Sequence, residues 1–164
     1  MLNLQHVRSE DDPFLYEVYA QARAEELAAF GWGRAEQDAF LRMQFELQKR
    51  SYAQQYPSAV HYIVLQDDVP IGRILTEETE EVVVLVDLSL VSARQNQGIG
   101  TSLLQDLQRM AQGAGKKVRL HVLQHNPARR LYERLGFRVT GEPIPYVAME
   151  WLPQGEGMLN KRGD

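Results

Sequence analysis

The chain has 164 residues, of which 44% are apolar and 24% charged, and its formal net charge at pH 7 is −4. This length supports one domain with a sizeable core and leaves no room for a second domain of ordinary size. The negative charge gives little basis for binding a nucleic-acid backbone, and the absence of cysteine excludes disulfides, thiolate metal sites and a cysteine nucleophile.

Apolar runs are short throughout the chain. The longest, at 82–86, is far below the roughly 20 residues that cross a bilayer. The polar amino-terminal residues also lack the apolar segment of a signal peptide. We therefore expect a soluble cytoplasmic protein that has neither a membrane nor a nucleic acid as a partner.

The first half of the sequence predicts a strand, two helices and three strands. Period-two alternation predicts a strand at 2–7, and helical spacing predicts a helix that opens at Pro13 and a second at 35–52. Glycines at 31 and 33 separate these two helices. From Val60 the period returns to two, which predicts strands at 60–65, 71–76 and 82–91.

The second half predicts a helix, a strand, a short helix and two strands. Leu103, Leu104, Leu107, Met110 and Ala111 form a helical stripe, and a strand follows at 118–123. A short helix after Asn126 leads to strands at 137–140 and 146–152. A strand, helix and strand in sequence require a crossover, so the sheet is mixed. We expect one domain at 1–153 and a flexible tail at 154–164.

A glycine-rich turn at 95–101 joins a buried strand to a helix. Gly98 and Gly100 let backbone amides face outward at a helix amino terminus, which favours an anion such as a phosphate. The dinucleotide fingerprint fails because Leu103 stands where a third glycine or alanine is needed. The NTPase phosphate loop fails because no Gly-Lys-Ser/Thr follows. A tight structural turn is the remaining alternative.

Three segments resemble the GCN5-related N-acetyltransferase superfamily. Gln95, Gly98 and Gly100 match its pyrophosphate-loop pattern Gln/Arg-x-x-Gly-x-Gly/Ala. The stretch from Asn126 to Phe137 is similar to its Asn-x-x-Ala-x-x-Leu-Tyr-x-x-x-Gly-Phe region, with one residue fewer after the asparagine. The segment 146–151 resembles its last strand. The resemblance implies a single-domain α/β (α+β) fold. Its mixed, mostly antiparallel sheet has about seven strands, helices on both faces and a splay between strands four and five.

The resemblance also implies acetyl-CoA as the co-substrate. Backbone groups near Leu90 and Val91 would pair with the pantetheine, and amides of the glycine-rich turn would hold the pyrophosphate. We therefore expect mild effects from alanine at Asn96 or Gln97 and severe effects from valine at Gly98 or Gly100. The implied cofactor-binding residues are Leu90, Val91, Gln95, Asn96, Gln97, Gly98, Ile99, Gly100, Thr101 and Asn126. Asn126 is equally well explained as a helix cap.

Two residues are candidates for catalysis. Family precedent places Tyr132 as the acid that protonates the leaving thiolate, although a packed core tyrosine is the alternative. Asp87, inside an apolar strand, is a candidate base or a structural carboxylate paired with an arginine. His121 is a further candidate base because histidine titrates in the range that a base needs, although a half-buried strand histidine is more often structural. Without cysteine or a tight histidine and carboxylate cluster, no metal is predicted.

The resemblance places the acceptor near the first two helices. The candidate substrate-binding residues there are Glu25, Trp32, Phe45 and Tyr52, an aromatic and acidic set that suits a cationic amine, although several stand at core spacing. The leading hypothesis is direct N-acetylation of a small-molecule or peptide amine. The alternative is a non-catalytic acyl-CoA-binding sensor or regulatory module. A homodimer through the last strand is left open.

Overall fold

In a computed structural model, which describes residues 1–141 and 145–154, the chain forms seven strands and four α helices. They follow the predicted order, and two short 3-10 helices, Ser9–Asp11 and Ser92–Arg94, were not predicted. Beyond Gln154, the expected tail lies outside the described residues. The strands and helices are β1 Leu2–His6, α1 Asp12–Ala28, α2 Arg34–Gln55, β2 Val60–Gln66, β3 Val69–Glu78, β4 Val82–Leu90, α3 Ile99–Ala114, β5 Lys117–Leu123, α4 Ala128–Arg134, β6 Arg138–Gly141 and β7 Tyr146–Trp151.

All seven strands belong to one sheet, in the order β1-β2-β3-β4-β5-β7-β6. The pairs β1–β2, β5–β7 and β6–β7 are antiparallel, whereas β4 and β5 are parallel. A parallel pair needs a crossover connection, and α3 supplies it. The prediction of a mixed α/β fold is confirmed.

The ladder between β4 and β5 covers only the first part of both strands. It runs from Val82 opposite Lys117 to Leu85 opposite Leu120. Beyond these pairs β4 continues to Leu90 and β5 to Leu123. This is the strand pair for which the sequence predicts a splay.

The chain forms two compact units, of which the first comprises Met1–Leu75 and Asp87–Gln97. Its core packs α1 and α2 on β2, because the apolar residues of both helices recur at helical spacing. Asp12 adds a polar contact between the helices, accepting hydrogen bonds from Arg42 and Lys49 at 2.7 Å each. The buried core residues are Leu15, Tyr19, Leu27, Leu41, Phe45 and Ile63.

The second unit comprises Thr76–Val86 and the described residues from Gly98 onward. Helix α3 buries one stripe, and β5 buries alternate residues, as half-buried strands do. Gly115 ends α3 in the left-handed region at φ 68°, where a residue with a Cβ is strained. The buried residues of α3 are Ile99, Leu103, Leu104, Leu107 and Ala111.

Within residues 1–141 and 145–154, no helix is long and apolar enough to cross a membrane.

Candidate functional site

The glycine-rich turn leaves the amino end of α3 without a side-chain cap. The chain passes through Asn96 at φ 61° and Gly98 at φ 80° before α3 begins at Ile99. The cap residue is Gly98, which has no side chain to accept a hydrogen bond from the first amides of the helix. A Cβ added at Gly98 or Gly100 would meet nothing within 4 Å. The first amides of a helix have no partner within the helix, so this end presents donors beside an open surface.

Two glutamine side chains hydrogen-bond to backbone carbonyls around this turn. Gln95 Nε2 donates to the Leu90 carbonyl at 3.1 Å, and Gln97 Nε2 donates to the Ala93 carbonyl at 2.9 Å. Asn96 is left-handed, a conformation in which alanine is strained. The expectation that alanine at Asn96 is mild therefore needs revision, because alanine there strains the backbone.

The backbone amides of Leu90 and Val91, at the end of β4, point to opposite edges of the strand. The Val91 N–H donates to the Ile71 carbonyl at 2.8 Å, so it is engaged within the protein. Because successive strand residues point their backbone groups to opposite edges, the Leu90 N–H points to the other edge of β4. Of the Leu90 and Val91 amides, the geometry therefore leaves the Leu90 N–H for a ligand.

Asp87 lies in a buried polar cluster formed by β3, β4 and α2. Its Oδ2 accepts a hydrogen bond from Arg73, and its Oδ1 accepts one from Ser89 at 2.7 Å. Arg73 is only 4% exposed and also donates to Gln48 Oε1 at 3.1 Å. The structure thus places Asp87 as the arginine-paired carboxylate, which was one of its two interpretations. Any role in proton transfer has to operate within this ion pair.

His61 on β2 lies near this cluster with an unsatisfied ring nitrogen. Its Nε2 is buried and has no hydrogen-bond partner among the described residues. Burial and, second, the positive charge of Arg73 lower the pKa of His61 from 6.5 to about 4, against smaller individual contributions from Asp87 and Asp11 that raise it. His61 is therefore neutral in the folded protein near neutral pH.

We expect the folded state to lose stability between pH 6.5 and pH 4 because of His61. In this window the unfolded histidine binds a proton and the folded one does not, so acid favours unfolding. After discounting for partial exposure, the free energy of unfolding should fall by about 1 kcal/mol from pH 7 to pH 5 through this residue. Urea unfolding of His61→Gln at both pH values should show a smaller decrease, whereas exposed His125→Gln should behave as wild type. An unchanged pH dependence in His61→Gln would contradict the assignment.

Tyr132 lies on the short helix α4, and Asn126 precedes this helix. Tyr132 is half-buried on α4, with its ring centroid 5.8 Å from that of Phe137 at an interplanar angle of 62°. Asn126 Oδ1 accepts a hydrogen bond from the Ala128 N–H at 2.9 Å, so Asn126 acts as a helix cap. The side-chain nitrogen of Asn126 takes no part in this hydrogen bond.

The structure separates the four candidate acceptor residues by exposure. Glu25 is exposed, and Trp32 is 37% exposed with its ring stacked on Phe30 at 5.3 Å. Phe45 is 0% exposed in the core, where it packs against Tyr19, so it has no surface for a substrate. Tyr52 is half-buried near the end of α2, with its ring centroid 6.2 Å from that of Tyr56.

Two further expectations concern the burial of His121 and the absence of a metal site. His121 is exposed on β5, so the prediction that it is half-buried was wrong, because its side chain stands on the outward face of an alternating strand. In the described part of the chain, no group of three or more histidine, aspartate or glutamate residues is arranged to hold a metal ion.

The sequence model that describes the acetyltransferase (GNAT) family matches residues 11–137, which is most of the chain. The chain belongs to this family. The acetyltransferase class predicted from the glycine-rich turn and the Asn126–Phe137 region is thereby confirmed. No curated protein sequence matches the chain significantly.

Solved structures of GNAT proteins share this fold. The PaiA N-acetyltransferase of Thermoplasma acidophilum, solved with coenzyme A, has a TM-score of 0.69 at 20% identity, over 93% of this chain and 99% of that one. The ribosomal-protein-S18-alanine N-acetyltransferase of Escherichia coli has a TM-score of 0.63 at 19% identity, over 94% of this chain and 96% of that one. The Campylobacter jejuni N-acetyltransferase PseH, solved with acetyl coenzyme A, has a TM-score of 0.59 at 16% identity, over 94% of this chain and 100% of that one.

One position in this GNAT chain was missed by sequence reasoning. Gly72 on β3 lies against the end of β4, where a Cβ would be 2.3 Å from the Ser89 carbonyl oxygen and 3.1 Å from the Leu90 Cα. The signal was present, since an isolated glycine within a strand pattern often marks a close backbone approach. Gly72 thus fixes the position of the β4 segment that carries the Leu90 N–H.

Proposed function

We propose that the protein is an acetyl-CoA-dependent N-acetyltransferase that transfers the acetyl group directly to a primary amine of a small molecule or peptide. The observation that carries this proposal is the uncapped amino end of α3, beside Gly98 and Gly100, where an added Cβ would meet nothing within 4 Å. GNAT membership and the CoA and acetyl-CoA complexes of structurally similar proteins support it.

The residues of the turn fit a diphosphate. Backbone amides at Ile99, Gly100 and Thr101 belong to the first turn of α3, where the helix dipole also favours negative charge. The glycines leave room for close approach of a ligand to this backbone. Gln95 and Gln97 keep their side chains on backbone carbonyls, so we assign them to shaping the turn rather than to direct recognition.

The remaining groups have distinct tasks in acyl transfer. When bound, acetyl-CoA supplies the activated thioester. The ladder between β4 and β5 ends at Leu85, so the Leu90 N–H lies beyond it on the same edge of β4. This N–H would donate to the carbonyl oxygen of the acetyl group. Tyr132 would donate its phenolic proton to the leaving sulfur. Asp87, held by Arg73 and Ser89, would accept the amine proton directly or through water.

The acceptor site is proposed at the connection between α1 and α2. Trp32 and Phe30 form an exposed stacked pair, and Glu25 lies exposed near the end of α1. An aromatic face together with a carboxylate attracts a cation, and an amine acceptor is a cation before it loses its proton. The Escherichia coli neighbour is named for acting on an alanine of a ribosomal protein, which supports including peptide amines among the candidates.

Two measurements test the proposed function. Calorimetric titration with CoA should show binding, and release of free thiol from acetyl-CoA should accelerate with at least one member of a panel of small-molecule and peptide amines. Binding without turnover of any amine would favour the regulatory-module alternative. Absence of CoA binding would exclude both functions.

Alanine at Gly100 should separate helix stability from ligand binding. Gly100 lies in the first turn of α3 with open space at its Cβ position, so Ala should stabilise the fold by about 0.5 kcal/mol. The same methyl group would intrude on a diphosphate held at this backbone, and the Kd for CoA should rise at least about tenfold.

Gly113→Ala is the matched control for Gly100→Ala. Gly113 lies near the other end of α3 and also has nothing within 4 Å of its Cβ position. It should give a similar gain in stability with unchanged CoA affinity. Equal CoA affinity in the two variants would remove Gly100 from the proposed site.

A further inference from the structure

The 3-10 helix that leads into the glycine-rich turn is held by a side chain from α1. The Ser92 N–H donates to Gln21 Oε1 at 2.7 Å. Gln21 Nε2 in turn donates to Glu17 Oε1 at 3.2 Å, one turn earlier in α1. The second bond orients the amide, because it directs the nitrogen to Glu17 and the oxygen to Ser92. A backbone donor at the start of a short helix thereby gains an acceptor.

The turn that follows needs such support. Asn96 is held at φ 61°, in the left-handed region, which asparagine adopts more readily than other residues with a Cβ. Such a conformation persists only where its surroundings enforce it. The hydrogen bonds of Gln95 and Gln97 lie within the 90–97 segment, whereas that of Gln21 comes from a separate helix. Gln21 is therefore the residue that fixes the start of this segment relative to α1.

We propose that Gln21 is a positioning residue for CoA binding. By holding the Ser92 N–H, it fixes the path of the chain into the turn that directs the first amides of α3 outward. Gln21 acts through Ser92 and does not contact the ligand itself. The proposal rests on the proposed function, since it assumes that CoA is the ligand of this turn.

The test compares Gln21→Met with Gln112→Met. Methionine keeps the side-chain length and helix propensity of glutamine but lacks the accepting oxygen. Gln112 Oε1 accepts the Gln154 N–H at 2.7 Å, so the control removes a hydrogen bond of the same kind and length elsewhere. In Gln21→Met, the calorimetric Kd for CoA and the KM for acetyl-CoA should rise about tenfold, whereas kcat should stay within about twofold. The control should leave all three unchanged while lowering Tm equally.

The double variant Glu17→Gln/Gln21→Glu provides the rescue, because the carboxylate at 21 keeps an acceptor for the Ser92 N–H and the amide at 17 keeps a donor beside it. Its Kd for CoA should stay within about threefold of wild type. Wild-type affinity in Gln21→Met, or a loss in Gln21→Met that Glu17→Gln/Gln21→Glu shares in full, would overturn the positioning role and leave the proposed function intact. Failure of the wild-type protein to bind CoA would overturn both.

Discussion

Replacement of Tyr132 by phenylalanine is expected to lower kcat by about 100-fold, since a positioned general acid typically contributes that much. Phenylalanine keeps the edge contact with the Phe137 ring, whose centroid lies 5.8 Å away, so the fold and the Tm should be preserved. The Kd for CoA should stay near that of wild type, because the loss concerns proton donation rather than binding. Steady-state kinetics with acetyl-CoA and the best amine of the panel, together with calorimetry, measure these quantities.

Tyr146→Phe serves as the control for the tyrosine hydroxyl. Tyr146 is 52% exposed on β7, and removal of its hydroxyl should leave kcat unchanged. If Tyr132→Phe retains more than about one third of the wild-type kcat, Tyr132 is not the acid and its role is that of a packed aromatic residue.

Alanine at Gly72 is expected to destabilise the protein by about 3 kcal/mol. The added Cβ would lie 2.3 Å from the Ser89 carbonyl oxygen, and the obstacle is backbone rather than a side chain that can rotate away. Relief of the clash requires β4 to move near Leu90, which displaces the proposed donor to the acetyl group. Acetyl transfer in the folded fraction should therefore fall as well.

Urea unfolding and single-turnover acetyl transfer measure the two effects of Gly72→Ala. Gly33→Ala is the control, because Gly33 is also extended, at φ −68° and ψ 164°, and its Cβ would have an ordinary contact at 3.7 Å. Because Gly33 is the N-cap of α2 and alanine is a poorer cap than glycine, Gly33→Ala should lower the free energy of unfolding by about 1 kcal/mol, clearly less than Gly72→Ala. Wild-type stability in Gly72→Ala would show that β3 and β4 separate at little cost.

The fold was predictable because each segment carries a clear period and ends at a recognisable residue. The alternation from Val60 onward and the glycine ends of α3 give the order of strands and helices that the structure shows. The errors are local ones. Met110 was predicted on the buried stripe of its helix but is 43% exposed, because the buried stripe of α3 is narrower than its set of apolar residues.

The glycine-rich turn was predictable from the sequence as a candidate ligand site, but the contacts that shape it were not. Gly98 and Gly100 lie two residues apart and can be recognised in the sequence, whereas the hydrogen bond from the Ser92 N–H to Gln21 joins residues 71 positions apart. The contacts in the buried cluster around Asp87 also join residues that are distant in sequence. Asp87 suggested an arginine partner, but only the register of β3 beside β4 shows that Arg73 is that partner.

The ion pair of Arg73 and Asp87 constrains how this protein can diverge. Arg73 is 4% exposed, and loss of one member of a buried pair leaves an uncompensated charge at a cost of about 3–5 kcal/mol. That cost is comparable with the whole stability margin of many domains. We therefore expect substitutions at the two positions to be coupled, so that a neutral residue in place of Asp87 is tolerated only together with a neutral residue in place of Arg73.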